Sequence, residues 1–82
     1  MIELTIYTRN DCPLCHEMEA VIAAELPKFD AHIKRIEIDG DAGLEARFGT
    51  EVPVLFVNDR KCFKYRCTPA ELRQRLAREA KT

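Results

Sequence analysis

Apolar residues recur along this chain at two spacings, every second position in some stretches and every third or fourth in others. From Leu4 to Thr8 apolar and polar side chains alternate among β-forming residues, which predicts a strand. Arg9-Asn10-Asp11 reads as a loop. Leu14, Met18, Val21 and Ile22 then fall at i, i+4, i+7 and i+8, one face of a helix. Pro13 stands where a first helical turn tolerates proline, and Pro27 ends the helix. A second strand runs from His32 to Asp39 with Ile33, Ile36 and Ile38. A helical pattern between two strand patterns implies a βαβ unit with parallel strands.

Further on, Asp41 can cap a short helix carrying Leu44 and Phe48, with Gly49 at its C-terminal cap. Val52 to Val57 reads as a buried strand opened by Pro53. Asn58-Asp59 suits a two-residue hairpin turn, because both residues tolerate positive φ. The returning strand is expected from Lys61 to Arg66, with Phe63 and Tyr65 on one face. Thr68-Pro69-Ala70-Glu71 is a capping box with proline in the first helical position, and Leu72 and Leu76 mark the inner stripe of the last helix. The order β-α-β-α-β-β-α predicts one α/β domain over residues 1–82.

Composition narrows the function classes. An 82-residue chain buries only about 60% of its unfolded surface, so the core is modest. The formal net charge of −1 gives no reason to expect a nucleic-acid or anionic-membrane partner. No apolar run approaches the ~20 residues of a membrane span. The start, Met1-Ile2-Glu3, carries an acidic residue where a signal peptide is basic, which favours a cytoplasmic protein. Arg60, Lys61, Lys64 and Arg66 collect on the last expected strand, where they guard a sheet edge or form a landing surface for an anionic substrate or partner. Arg73, Arg75 and Arg78 are expected on the solvated face of the last helix.

Four cysteines carry the candidate chemistry: Cys12, Cys15, Cys62 and Cys67. Without a secretion signal, a close pair is more often catalytic or metal-binding than a staple. Cys12-Pro13-Leu14-Cys15 lies between a strand and a helix, placing Cys12 at the N-cap and Cys15 in the first turn. The N–H groups there lack intrahelical partners and stabilise a thiolate. Cys12 is therefore the expected nucleophile and Cys15 the resolving thiol. Arg9 adds positive field on the approaching loop, whereas Asp11 opposes it. Rival readings exist. The pattern Cys12-x-x-Cys15-His16 matches haem attachment, but such domains are secreted and mostly helical. A four-cysteine zinc site has tolerable spacings. Five residues of strand from Cys62 to Cys67 would span about 16 Å, too far for one metal without a bend.

The segment from Tyr7 to Cys15 resembles the active-site segment of glutaredoxins and glutaredoxin-like proteins, and the likeness extends over nearly the whole chain. Val52-Pro53 resembles the valine–cis-proline pair of thioredoxin-fold proteins. The resemblance implies a four-stranded mixed sheet flanked by helices, a cis Pro53 facing the dithiol, and a Val52 backbone offered to a bound disulfide. It implies thiol–disulfide exchange by Cys12 and Cys15, with Arg9, Pro13, Leu14, Val52 and Pro53 at the substrate, no metal or other cofactor, and a protein or small-molecule disulfide as partner. The chain departs from glutathione-dependent members. Tyr65-Arg66-Cys67-Thr68-Pro69 replaces their Gly-Gly and Asp, Arg9 stands for the usual lysine, and Glu51 stands where threonine is common. Glutathione is thus at most a co-substrate. The alternatives are a monothiol route through Cys12 with glutathione, or a non-enzymatic module holding zinc or an iron–sulfur cluster.

Overall fold

The computed structural model of the chain describes residues 1–81. Among them lie strands β1 (Ile2–Thr8), β2 (Ala31–Glu37), β3 (Val54–Val57) and β4 (Arg60–Lys64), and helices α1 (Pro13–Glu25), α2 (Ala42–Phe48) and α3 (Pro69–Ala80). The sheet order is β2-β1-β3-β4. β1 runs parallel to β2 and antiparallel to β3, and β4 returns antiparallel to β3. This is the single α/β domain expected, with a mixed sheet.

The period-two pattern of β1 divides the core into two layers. Ile2, Leu4 and Ile6 point to one face, where they meet Met18 and Ile22 of α1 and Leu72 and Leu76 of α3. Tyr7 points to the other face, toward Phe48 of α2 and Phe56 of β3. Tyr7 stacks on Phe48 at 4.4 Å between ring centres and meets Phe56 edge-on at 5.5 Å. Such pairs contribute about 0.5–1.5 kcal/mol each beyond area burial. The hairpin turn takes positive φ at Asn58 and Asp59. At α3 the Thr68 side chain accepts from the Glu71 N–H while the Glu71 carboxylate accepts from the Thr68 N–H.

Several details differ from the sequence reading; among them, β2 ends at Glu37 rather than Asp39, and β3 begins at Val54 rather than Val52. α1 stops at Glu25 and tightens into one 3₁₀ turn, Leu26–Lys28, which contains Pro27. β4 ends at Lys64, so Tyr65 and Arg66 do not continue the strand. Tyr65 swings to φ +67°, its N–H donating to the Pro53 carbonyl at 2.9 Å and its hydroxyl to the Thr50 carbonyl at 3.1 Å. Those two bonds hold a conformation that a bulky residue rarely adopts. Cys62 is the extra residue of a bulge, because Phe63 pairs with Leu55 while Lys61 pairs with the next residue, Phe56. Gly49 does cap α2, but with right-handed φ −53°. Glycine is needed there because a Cβ would lie 2.4 Å from the Glu45 carbonyl oxygen. Arg73 and Arg75 are not simply solvated: Arg73 reaches the buried Glu25 at 2.9 Å, and Arg75 is half-buried.

Candidate active site

Strand direction gathers the site at one end of the sheet. β1 ends at Thr8, and the loop that follows leads into α1. Antiparallel pairing sets the start of β3 beside that end, Val54 opposite Tyr7, and the end of β4 beside it again, Lys64 opposite Val54. The loops carrying Cys12, Pro53 and Tyr65 therefore share one edge.

Cys12 is the N-cap of α1, in extended conformation, with Pro13 opening the helix. Its Sγ accepts from the Cys15 N–H at 3.2 Å, and its carbonyl accepts from the His16 N–H at 3.1 Å. A cap side chain normally supplies oxygen to that N–H; here sulfur occupies the position, facing partial positive charge. Cys12 and Cys15 are joined as a disulfide with Cα atoms 5.2 Å apart. The two cysteines differ in burial. Cys15 is completely buried one turn ahead of Met18, whereas Cys12 is half-buried. Pro13 is exposed and Leu14 half-buried beside them.

The Val52–Pro53 peptide is cis, and Pro53 is buried. The Val52 N–H donates to the Phe48 carbonyl at 3.1 Å. That donor is taken by the fold, so a backbone contact offered by Val52 falls to its carbonyl alone, which narrows the expectation for this residue. Arg9 is likewise committed. It lies 2.9 Å from Glu45 and 2.6 Å from Asp39, with a further bond to the Gly49 carbonyl. The Glu45 and Asp39 hydrogen bonds raise its pKa further. Its charge is compensated by two carboxylates, and Arg9 ties the loop before Cys12 to the end of α2.

The pattern along the chain placed Tyr65 on the last strand and gave it no role at the site. It fastens both Thr50 and Pro53, and it lines a largely apolar groove of about 200 Å³ with Met18, Val21, Arg66 and Cys67. Nothing in composition announces a tyrosine at positive φ. Glu51, in the same loop, pairs with Lys61, which lowers its pKa.

Cys62 and Cys67 are free thiols and do not join the pair. Among the described residues no three His, Cys, Asp or Glu side chains come together as metal ligands. No helix among them is long and apolar enough to cross a membrane.

Residues 3–77 match a glutaredoxin-like domain (DUF836). Among solved structures, the chain is 31% identical to a structural-genomics target protein, XcR50, from X. campestris, over 92% of this chain and 96% of that one, with a TM-score of 0.79. Protein Ne2328 from Nitrosomonas europaea is 30% identical over 92% and 91% of the chains, with a TM-score of 0.76. A mutant thioredoxin from Halobacterium salinarum, 20% identical, shares the fold at a TM-score of 0.68 over 96% of this chain and 74% of that one. No curated protein matches.

Proposed function

Because the chain belongs to the glutaredoxin-like domain family, we propose that it is a thiol–disulfide oxidoreductase working through Cys12 and Cys15. One observation carries the reading: the pair sits at a helix start, with Cys12 half-buried and its sulfur bonded to a helix-start N–H, and Cys15 fully buried. Cys12 as thiolate attacks a substrate disulfide; a mixed disulfide forms and the first substrate thiol leaves. Cys15 then loses its proton and attacks Cys12, and the second substrate thiol leaves. The protein ends as disulfide and the substrate as two thiols. A reductant returns the pair to dithiol.

Pro13 fixes the turn, Leu14 shields Cys15, and Pro53 with the Val52 carbonyl supplies the strand-like surface for substrate. Arg9 serves by positioning the loop. This chemistry needs no metal or other cofactor, and a reducing cytoplasm suits it. Glutathione is a weak co-substrate at most, since the side chains of Arg66 and Cys67 line the groove where a Gly-Gly backbone would let glutathione approach.

Alkylation of the reduced protein against pH tests the assignment. Each unit by which the Cys12 pKa falls corresponds to about 1.4 kcal/mol of thiolate stabilisation, within reach of one helix terminus. Cys12 should react faster than Cys15 at neutral pH. Cys12→Ser should abolish disulfide reduction, and Cys15→Ser should stall as a mixed disulfide. Faster reaction at Cys15, or full reductase activity in Cys12→Ser, overturns the reading. Tight, saturable turnover of glutathione disulfide at low micromolar substrate would overturn its secondary part.

A further inference from the structure

Arg60 and Lys61, two of the four cationic residues expected on the last strand, take no part in the dithiol site, and the structure sets them in a common cleft with two arginines of α3. A cleft of about 530 Å³ lies between β4 and α3. Arg60 and Lys61 line it from the strand, Arg75 and Arg78 from the helix. We propose that this cleft binds a small oxyanion, a phosphate or carboxylate group carried on a small molecule.

Charge accounting supports an anion here. Among the described residues Glu71 is the one acidic member of the lining, and its carboxylate is engaged by the Thr68 N–H at 2.8 Å. Lys61 is paired with Glu51, and Arg75 meets Glu79 at 3.4 Å. Arg60 and Arg78 make no ion pair among the described residues. The chain as a whole carries −1, so this concentration of positive charge is local rather than a consequence of a basic protein. Arg60 and Arg78, left without an ion pair among the described residues, set a positive field in the cleft.

Geometry adds to charge. Arg60 and Arg78 are exposed residues of the cleft lining, and the planar fork of a guanidinium matches an oxyanion with two parallel N–H bonds.

Edge protection explains part of the pattern but not all of it. β4 is an outer strand, and basic residues on such a strand discourage pairing with another chain. That role gives no reason for Arg75 and Arg78, on a helix, to face the same cleft. The cleft is also separate from the dithiol: Arg60 begins β4, while the Cys12 and Pro53 loops lie at the end where β4 finishes. The proposal therefore stands whether or not the oxidoreductase reading does.

The test is an amide chemical-shift titration of the oxidised protein with pyrophosphate and, separately, citrate, the ionic strength being held with sodium chloride. Saturable shifts are expected at residues 60–63 and 74–78, with a dissociation constant of about 1 mM or tighter. Arg60→Gln combined with Arg78→Gln should weaken binding at least about tenfold, ~1.4 kcal/mol. Both residues are exposed, and an unchanged spectrum away from the cleft checks that the variant is folded. The ligand should also raise the unfolding midpoint of the wild type more than that of the double variant. Saturation by pyrophosphate alone assigns a phosphate carrier, by citrate alone a carboxylate carrier, and by both a general oxyanion site. Shifts that stay linear to about 10 mM for both anions, equal binding by the double variant, or shifts centred on Cys12 to Cys15 overturn the proposal.

Discussion

Cys67 offers a measurable consequence of burial in a small core. The residue belongs to the buried cluster that also holds Met18, Leu72 and Leu76, and it is 8% exposed. Burial, aided by the nearby charge of Glu71, pushes its thiol pKa from 9.0 up to about 11. At pH 8 an ordinary thiol of pKa 9 is about one-tenth ionised, and one of pKa 11 about one-thousandth. Since the thiolate is the reacting form, Cys67 in the folded, oxidised protein should alkylate about a hundred times more slowly than in denaturant, where it is ordinary. The same difference has a stability consequence. The folded pKa lies above the unfolded one, so the contribution is complete below pH 9. It is lost as pH rises toward 11, because the unfolded chain gives up its proton first. Two pH units amount to about 2–3 kcal/mol. Other groups titrate in this range, so the quantity to measure is a difference: urea unfolding of wild type and Cys67→Ala at pH 8 and pH 10.5. Wild type should lose more stability than the variant over that interval. Equal losses, or alkylation of Cys67 at the same rate folded and unfolded, would refute the argument from desolvation.

Three further outcomes follow from named contacts. The Arg73 hydrogen bond, with help from Lys28, holds the Glu25 carboxyl below its usual pKa. Its stabilising effect is present above the ordinary carboxylate pKa and is lost as pH falls through the lowered one, so Arg73→Gln should flatten the acid limb of a stability–pH curve relative to wild type. Thr68→Ala removes half of the capping box of α3 and should cost about 1 kcal/mol, read from chemical denaturation. Gly49→Ala sets a Cβ 2.4 Å from backbone at the end of α2. It should therefore destabilise by more than ~1 kcal/mol and lower the thermal midpoint by several degrees; a neutral effect would show that this helix end can shift.

Element order and the dithiol were legible along the chain, because periodicity, caps and turn residues act within a few positions. The alternation of Leu4 and Ile6 with Thr5 and Tyr7, the capping box at Thr68, the Asn58-Asp59 turn and Cys12 at a helix start all reappear in the structure. The cis form of the Val52–Pro53 bond came from family likeness, since the dipeptide alone carries little preference for it. Other features depend on partners far apart in the chain and emerge only on folding. Arg9 is committed to Asp39 and Glu45, Arg73 to Glu25, and the Val52 N–H to Phe48. Tyr65 leaves the strand because Thr50 and Pro53 hold it. The cleft of Arg60, Lys61, Arg75 and Arg78 forms only when a strand and a helix are folded side by side. A charged or hydroxyl-bearing side chain finds its partner through space, and spacing along the chain carries no record of that partner.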